Sequence, residues 1–306
     1  MKIAVLIPCY NEAASIGQVV RDVKAVIPKA DIYVYDNNST DQTAQIARDA
    51  GALVRFESYQ GKGSVVRRMF ADVEADVYVM LDGDATYDAP SIPIMIHKLT
   101  EERLDMVTGV RQHRESEAYR PGHQFGNVLM TRVVHLFFGR RTADMLSGLR
   151  VFSRRFVKSF PAMSKGFEIE TELTVYASSM RLPTADVVTP YYARPEGSVS
   201  KLSTFRDGWR ILKMIATLIK EERPLLFFGV LGTVLFIVSL MLAAPVILTY
   251  FETGLVPRLP TALLSAAVAL TGGVSWAIGL ILDMVNNSRK ELRRMRYLSI
   301  PVLRQE

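Results

Sequence analysis

The chain has 306 residues, about twice a typical domain, so a large domain with an appendage is the expectation. Apolar residues make up 49% of it, which leans towards some membrane-embedded mass, and the formal charge of +6 is concentrated: Lys201 to Arg223 carries +3 and Arg289 to Arg296 carries +4, leaving about −1 elsewhere. That distribution argues against a nucleic-acid-binding body and for basic segments facing anionic headgroups, and the single cysteine, Cys9, excludes an intrachain disulfide and a cysteine-rich metal site.

In chain order, Ile3 to Ile7 reads as a strand that stops at Pro8, since proline cannot donate to a sheet ladder. No signal peptide is expected ahead of Lys2. Ile16, Val19, Val20, Val23, Val26 and Ile27 recur at helical spacing, with Pro28 as a stop. Ile32 to Tyr35 reads as a second strand, followed by the polar turn Asp36-Asn-Asn-Ser-Thr-Asp41 and a helix reaching Ala50, with Gly51 as C-cap. Ser39 and Gln42 fit a capping box there. Leu53 to Phe56 is a third strand, Gln60 to Gly63 a basic loop, and Ser64 to Val73 a helix. Strand and helix alternating in this way predict a parallel, doubly wound sheet. No G-x-G-x-x-G follows the first strand, which speaks against a dinucleotide-dependent dehydrogenase, and Gly61-Lys-Gly63 is too short for a Walker loop.

The next strand, Val77 to Leu81, is apolar throughout, as for a strand buried on both faces, and Asp82, Asp84 and Asp88 follow it. Open α/β sheets place ligands at that end of their strands. Two acids separated by Gly83, which lets the backbone bend tightly, can turn toward one hard cation such as Mg²⁺ or Mn²⁺. An acidic turn is the plain alternative.

Pro8-Cys-Tyr-Asn-Glu12, Asp36-Asn-Asn-Ser-Thr-Asp41, Gly61-Lys62-Gly63 and Asp82-Gly-Asp84 occur in the order and spacing of the family-2 inverting glycosyltransferases. Over roughly the first 220 residues the chain resembles the polyprenyl-phosphate members of that family. The resemblance implies a GT-A domain, Rossmann-like with a mostly parallel sheet. It implies that Pro8, Tyr10, Asn11 and Glu12 hold the nucleoside, that Asp36 reads the base, and that Asn38, Ser39 and Asp41 shape the same wall. Lys62 and Gly63 match a loop near the diphosphate, and Asp82 and Asp84 match the metal pair, Asp84 as the more direct ligand. Where eukaryotic-like relatives often carry a Gln, this chain has Thr86. On the acceptor side, Arg111 and Arg132 match arginines for a lipid phosphate. Asp144, Ser147, Gly148 and Arg150 match an acceptor segment, with Asp144 orienting the acceptor or acting as base. Glu168, Glu170 and Glu172 sit at the head of a helix, where acids favour the dipole, and Glu172 best matches a family glutamate. Arg194 to Lys201, including Ser200, resembles the segment that closes over the donor diphosphate, and Arg194, Ser200 and Lys201 are further candidates for holding the acceptor phosphate.

Beyond it, Phe205, Trp209, Leu212, Ala216 and Ile219 form an apolar stripe opposite Arg206, Arg210, Lys213 and Lys220, a pattern suited to a membrane interface. Leu225 to Leu248 and Thr261 to Leu282 each exceed the roughly 20 residues needed to cross a bilayer. The predicted organisation is a GT-A domain over 1–200, an amphipathic segment over 201–224, a transmembrane hairpin over 225–285 and a basic tail over 286–306. Basic clusters flanking the hairpin place both termini and the catalytic domain in the cytoplasm, on the inner membrane. The implied reaction is inverting transfer from a nucleotide-sugar, UDP-linked, to undecaprenyl or another polyprenyl phosphate, with Mg²⁺ or Mn²⁺ as cofactor. Similar proteins form homotetramers. The rival readings are a processive polysaccharide synthase, weakened by having only two spans and no Gln-x-x-Arg-Trp, and a non-catalytic nucleotide-sugar-binding subunit.

Overall fold

The computed structural model describes residues 1–113, 143–194 and 220–302, together with positions 213, 216 and 217. Arg132, Ser200, Lys201 and most of the amphipathic segment lie outside those residues. The chain divides into two compact units, one made of Met1–Ile211 with Arg293–Glu306 and the other of Leu212–Leu292.

The first unit is built on strands β1 (Ile3–Cys9), β2 (Asp31–Asp36), β3 (Leu53–Phe56), β4 (Val77–Met80), β5 (Met106–His113), β6 (Arg150–Ser153) and β7 (Thr184–Tyr191). They form one sheet in the order β3-β2-β1-β4-β6-β5-β7. The sheet is mixed, because β6 runs antiparallel to both neighbours while the other pairs are parallel. Helices α1 (Ile16–Val26), α2 (Thr43–Asp49), α3 (Lys62–Asp72), α4 (Ser91–Glu101), α5 (Arg154–Ser159) and α6 (Ile169–Ser179) cover its faces. Successive strand residues point to opposite faces. Val5 and Ile7 thus join the apolar cluster with α1 and α4, whereas Ala4 and Leu6 join the one with α3, α5 and α6. Burial on both faces explains why β1 and β4 read as unbroken apolar runs.

Strand β1 continues through Pro8 to Cys9, two residues past the predicted end at Ile7. Its ladder with β4 ends at Leu6, while its ladder with β2 continues to Cys9. At Pro8 one side therefore has no ladder to complete, and a missing N–H is tolerated.

The stretch expected as a basic tail is divided differently. Tyr297 and Ile300 are buried in the first unit, where the Tyr297 hydroxyl donates to Asp105 Oδ2 at 2.7 Å and Arg155 Nε donates to Ile300 O at 2.7 Å. Arg155 also lies over the Tyr297 ring, 5.1 Å from its centroid.

The second unit contains α7 (Pro224–Thr253) and most of α8 (Leu259–Leu298). Both helices run beyond the predicted spans. Ser239 Oγ donates to Ser265 O at 2.8 Å and Ser275 Oγ to Phe228 O at 2.9 Å, so the two helices pair as a hairpin. Only 17% and 22% of their most apolar stretches are buried in the chain. Buried core helices would show the reverse, so these are two candidate transmembrane helices.

Candidate active site

The loops after β1 and β2 are tied together by side chains that accept from backbone N–H groups. Asn11 N donates to Ser39 Oγ at 2.9 Å, Thr40 N to Asn11 Oδ1 at 2.8 Å, Glu12 N to Thr43 Oγ1 at 2.8 Å and Ala13 N to Asp41 Oδ2 at 3.2 Å. Ser39 thus serves the neighbouring loop rather than the predicted capping box, and Asp41 Oδ1 takes the Thr43 N–H at 2.9 Å instead. Asn38, in the left-handed region at φ 64°, donates from Nδ2 to Ser58 O at 2.8 Å and so holds the next loop. Asn37, which the motif reading left without a role, accepts from Gly61 N at 2.7 Å. Tyr10, in the loop after β1, is partly exposed. Asp36 closes its floor: it is buried, its Oδ2 accepts from Ser39 N at 3.2 Å, and its Oδ1 has no hydrogen-bond partner among the described residues. A buried carboxylate oxygen left in this state is suited to a ligand donor.

The acid pair lies at the end of β4. Ser15 Oγ donates to Gly83 O at 2.7 Å, fastening the turn to the start of α1. Gly83 is not in the left-handed region. Its lack of a side chain serves packing, since a Cβ there would lie 2.7 Å from Cys9 Sγ. Asp82 Oδ1 accepts from Lys62 Nζ at 2.5 Å, and Lys62 also donates to Glu170 Oε1 at 2.5 Å. Lys62 reaches this position because its loop lies directly on the 164–165 backbone. Gly63 N donates to Lys165 O at 3.1 Å, and a Cβ on Gly63 would collide with Ser164 O. Burial favours the neutral amine, but the Asp82 and Glu170 carboxylates outweigh it and hold the Lys62 ammonium above the ordinary lysine value.

Asp84 is more enclosed. Its Oδ1 accepts from Thr86 Oγ1 at 2.6 Å and Thr86 N at 3.3 Å, and its Oδ2 pairs with Arg194 Nη2 at 2.7 Å. Burial, and next the charge of Asp82, push the Asp84 carboxyl above its ordinary value. Thr86 therefore orients the acid directly. Arg194, matched by sequence to the acceptor phosphate, lies against the acid pair.

Asp144 meets Arg111 in a two-pronged ion pair, Nε to Oδ2 at 2.6 Å and Nη2 to Oδ1 at 2.8 Å. Burial alone would raise the Asp144 carboxyl, but Arg111 holds it below the usual carboxylate range. Both carboxylate oxygens are thus engaged by one guanidinium. Ser147 and Arg150 are wholly buried: Ser147 Oγ donates to Gly109 O, while Arg150 donates to Ser147 O, Met145 O and Thr174 Oγ1. Both brace the 145–150 turn from within, and neither presents a donor to a lipid phosphate. Glu172 caps a turn by accepting from Met163 N at 2.9 Å and Ser164 N at 2.8 Å. The acid of this helix that reaches Lys62 is Glu170. Helical spacing does not single it out: Glu170 precedes buried Leu173 and Thr174 by three and four residues, and Glu172 precedes buried Val175 and Tyr176 in the same way.

Asp82, Asp84 and the Thr86 hydroxyl are hard oxygen donors, and both carboxylates already face cationic side chains. Among the described residues no three His, Cys, Asp or Glu side chains gather into a ready cage. That suits an Mg²⁺- or Mn²⁺-like ion, which takes one or two carboxylates and completes its shell with water and phosphate oxygens. The donor set fits such an ion.

The family model described as Glycosyl transferase family 2 matches residues 4–160. Glycosyltransferase AglJ of Haloferax volcanii is 37% identical over 236 residues, 75% of this chain and 76% of its own length. Dolichyl-phosphate hexose transferase of the same organism is 28% identical over 72% of this chain and 95% of its own length. Among solved structures, glucosyl-3-phosphoglycerate synthase from Mycobacterium tuberculosis superposes with a TM-score of 0.59 at 24% identity, over 72% of this chain and 79% of that one. The same enzyme in complex with Mn²⁺, UDP-glucose and phosphoglyceric acid superposes at 0.56.

Proposed function

The chain belongs to glycosyl transferase family 2 and has the GT-A fold, and from that premise we propose that it transfers a hexose from a nucleotide-sugar, UDP-linked, to the phosphate of a membrane polyprenol. What carries this reading is the presence, in one chain, of the Asp82-Gly-Asp84 turn beyond β4 and two long apolar helices whose surfaces are mostly exposed. A soluble acceptor needs no such helices. The name of the dolichyl-phosphate hexose transferase supports a polyprenyl phosphate acceptor, and the UDP-glucose complex of the mycobacterial synthase supports a UDP donor with a divalent ion.

In this reading Asp36 Oδ1 accepts a donor from the base, while Asn11, Ser39 and Asp41 keep the wall around the nucleoside rigid. Asp84 and Asp82 would hold a divalent ion, which would offset the charge that grows on the leaving diphosphate. The acceptor phosphate is anionic at neutral pH, so attack at the sugar C1 requires positioning more than a base. Arg111 provides that positioning through the guanidinium edge that Asp144 does not occupy. An oxygen of the lipid phosphate bonds to C1 as the bond from C1 to the diphosphate breaks, with inversion, and the nucleoside diphosphate leaves with the electron pair. The basic segments on either side of the hairpin set the catalytic unit on the cytoplasmic face.

The test is transfer by the full chain in lipid nanodiscs, from labelled UDP- and GDP-sugars to undecaprenyl or dolichyl phosphate, with Mn²⁺ or Mg²⁺ and an EDTA control. An EDTA-sensitive lipid-linked product from one donor is the expected result. Transfer only to water-soluble acceptors would overturn the lipid assignment.

A further inference from the structure

The two acids of the Asp82-Gly-Asp84 turn are each matched by a cation of the chain, but the two cations are held very differently. Lys62 is 7% exposed and lies between two carboxylates, Asp82 and Glu170, the latter 8% exposed. Removing it would strand two acids in a buried setting, which is strongly unfavourable. Arg194 is 30% exposed, and a guanidinium already in contact with water regains hydration on leaving an ion pair. Yet it covers Asp84 Oδ2, while Thr86 covers Oδ1 with both its hydroxyl and its N–H.

We propose that Arg194 is an exchangeable stand-in for the divalent ion at Asp84, and that Lys62, clamped by Glu170, is the fixed counter-ion of Asp82. The inference rests on the reading above in which Asp84 holds a metal. Since Thr86 saturates one oxygen, an ion reaches Asp84 through the oxygen that Arg194 covers, and the two compete. The displaced guanidinium stays nearby, because the chain just before it is pinned to the same loop. Tyr192 N donates to Thr86 O at 2.9 Å, the Tyr192 hydroxyl donates to Asp88 Oδ1 at 3.0 Å, and the Tyr87 and Tyr191 rings pack edge to face at 5.3 Å.

The exchange has a purpose. A divalent ion at Asp84 Oδ2 brings two positive charges where Arg194 brings one, and leaves the guanidinium beside the site for the donor diphosphate. Arg194 is then a positioning residue of the donor side. It penalises metal binding alone and favours metal and diphosphate binding together, a coupling that must be reciprocal.

The experiment is a titration of the full chain with Mn²⁺ alone, read from the electron paramagnetic resonance of free Mn²⁺, then repeated with UDP present. Arg194→Gln is expected to bind Mn²⁺ alone roughly five- to tenfold more tightly than the wild type, the scale of one partly exposed ion pair. UDP should strengthen Mn²⁺ binding less in the variant than in the wild type. Equal or weaker Mn²⁺ affinity in Arg194→Gln, with binding still abolished by Asp84→Asn, would overturn the exchange while leaving the metal reading intact. Mn²⁺ binding that ignores Asp84→Asn would overturn both.

Discussion

The two halves of the sheet hold their site residues by different means. Around β1 and β2, Ser39, Asn11, Thr43 and Asp41 accept from backbone N–H groups, so the loops lock each other through the backbone rather than through ion pairs. From the end of β4 across to β7 the work falls to ion pairs: Lys62 with Asp82 and Glu170, Arg194 with Asp84, and Arg111 with Asp144. Backbone locks fix shape and are insensitive to salt, whereas ion pairs leave charges that an incoming ion or phosphate can re-pair. A nucleoside needs the first kind of surface. A reaction that brings a diphosphate, a metal and a second phosphate together needs the second.

The largest expected effect tests whether charge governs the second region. Asp84→Asn keeps the shape and the Thr86 contact but removes the charge, and transfer should fall on the order of a thousandfold, several kcal/mol in the barrier. Its melting temperature should stay close to that of the wild type. A large loss of thermal stability with modest loss of rate would make Asp84 a structural acid and break the distinction. Asp144→Asn comes next. Breaking the nearly buried pair with Arg111 should cost about 3 kcal/mol of stability at neutral pH. Because Arg111 holds the Asp144 carboxyl below its unfolded value, that stability is present above the unfolded value and is lost as pH falls through the folded one. Melts across pH should therefore show the gap between variant and wild type narrowing only below about pH 4. A gap already closing near neutrality would mean that another group carries it.

The same division decides what was legible in the sequence. The strands, and the polar turns after β1 and β2, are local: Asp36 to Asp41 can be read as a unit because its residues act on loops immediately around them. The alternation of strands and helices predicted a doubly wound sheet, and the resemblance carried by those motifs implied the GT-A fold. The ion pairs were less visible, because their partners lie 33 residues apart for Arg111 and Asp144 and 108 apart for Lys62 and Glu170. Charge type alone does not say which distant acid a cation meets. Arg150 shows the limit most clearly. An arginine in a motif facing an acceptor invites a phosphate, yet the reversed strand β6 turns it inward to brace Met145 and Ser147. The docked end of α8 falls within the predicted basic tail because five basic residues there hide one buried tyrosine.

That tyrosine supplies the smallest effect and the sharpest control. Asp105 immediately precedes β5, at the opposite end of the sheet from the acid pair, which follows β4. Tyr297→Phe keeps the ring beneath Arg155 and removes only the 2.7 Å hydrogen bond to buried Asp105, which retains the Ser153 hydroxyl at 2.6 Å. The loss should be about 1 to 2 kcal/mol, a drop of a few degrees in a melt followed by far-UV circular dichroism. Transfer at a temperature well below the melt should be unchanged, because no side chain of the acid pair or of the Arg111 pair touches this contact. If transfer instead fell tenfold while the melt stayed put, the far end of the sheet would be coupled to the site. The ion-paired half would then have to be regarded as a single network from Asp84 to Tyr297 rather than a set of independent pairs.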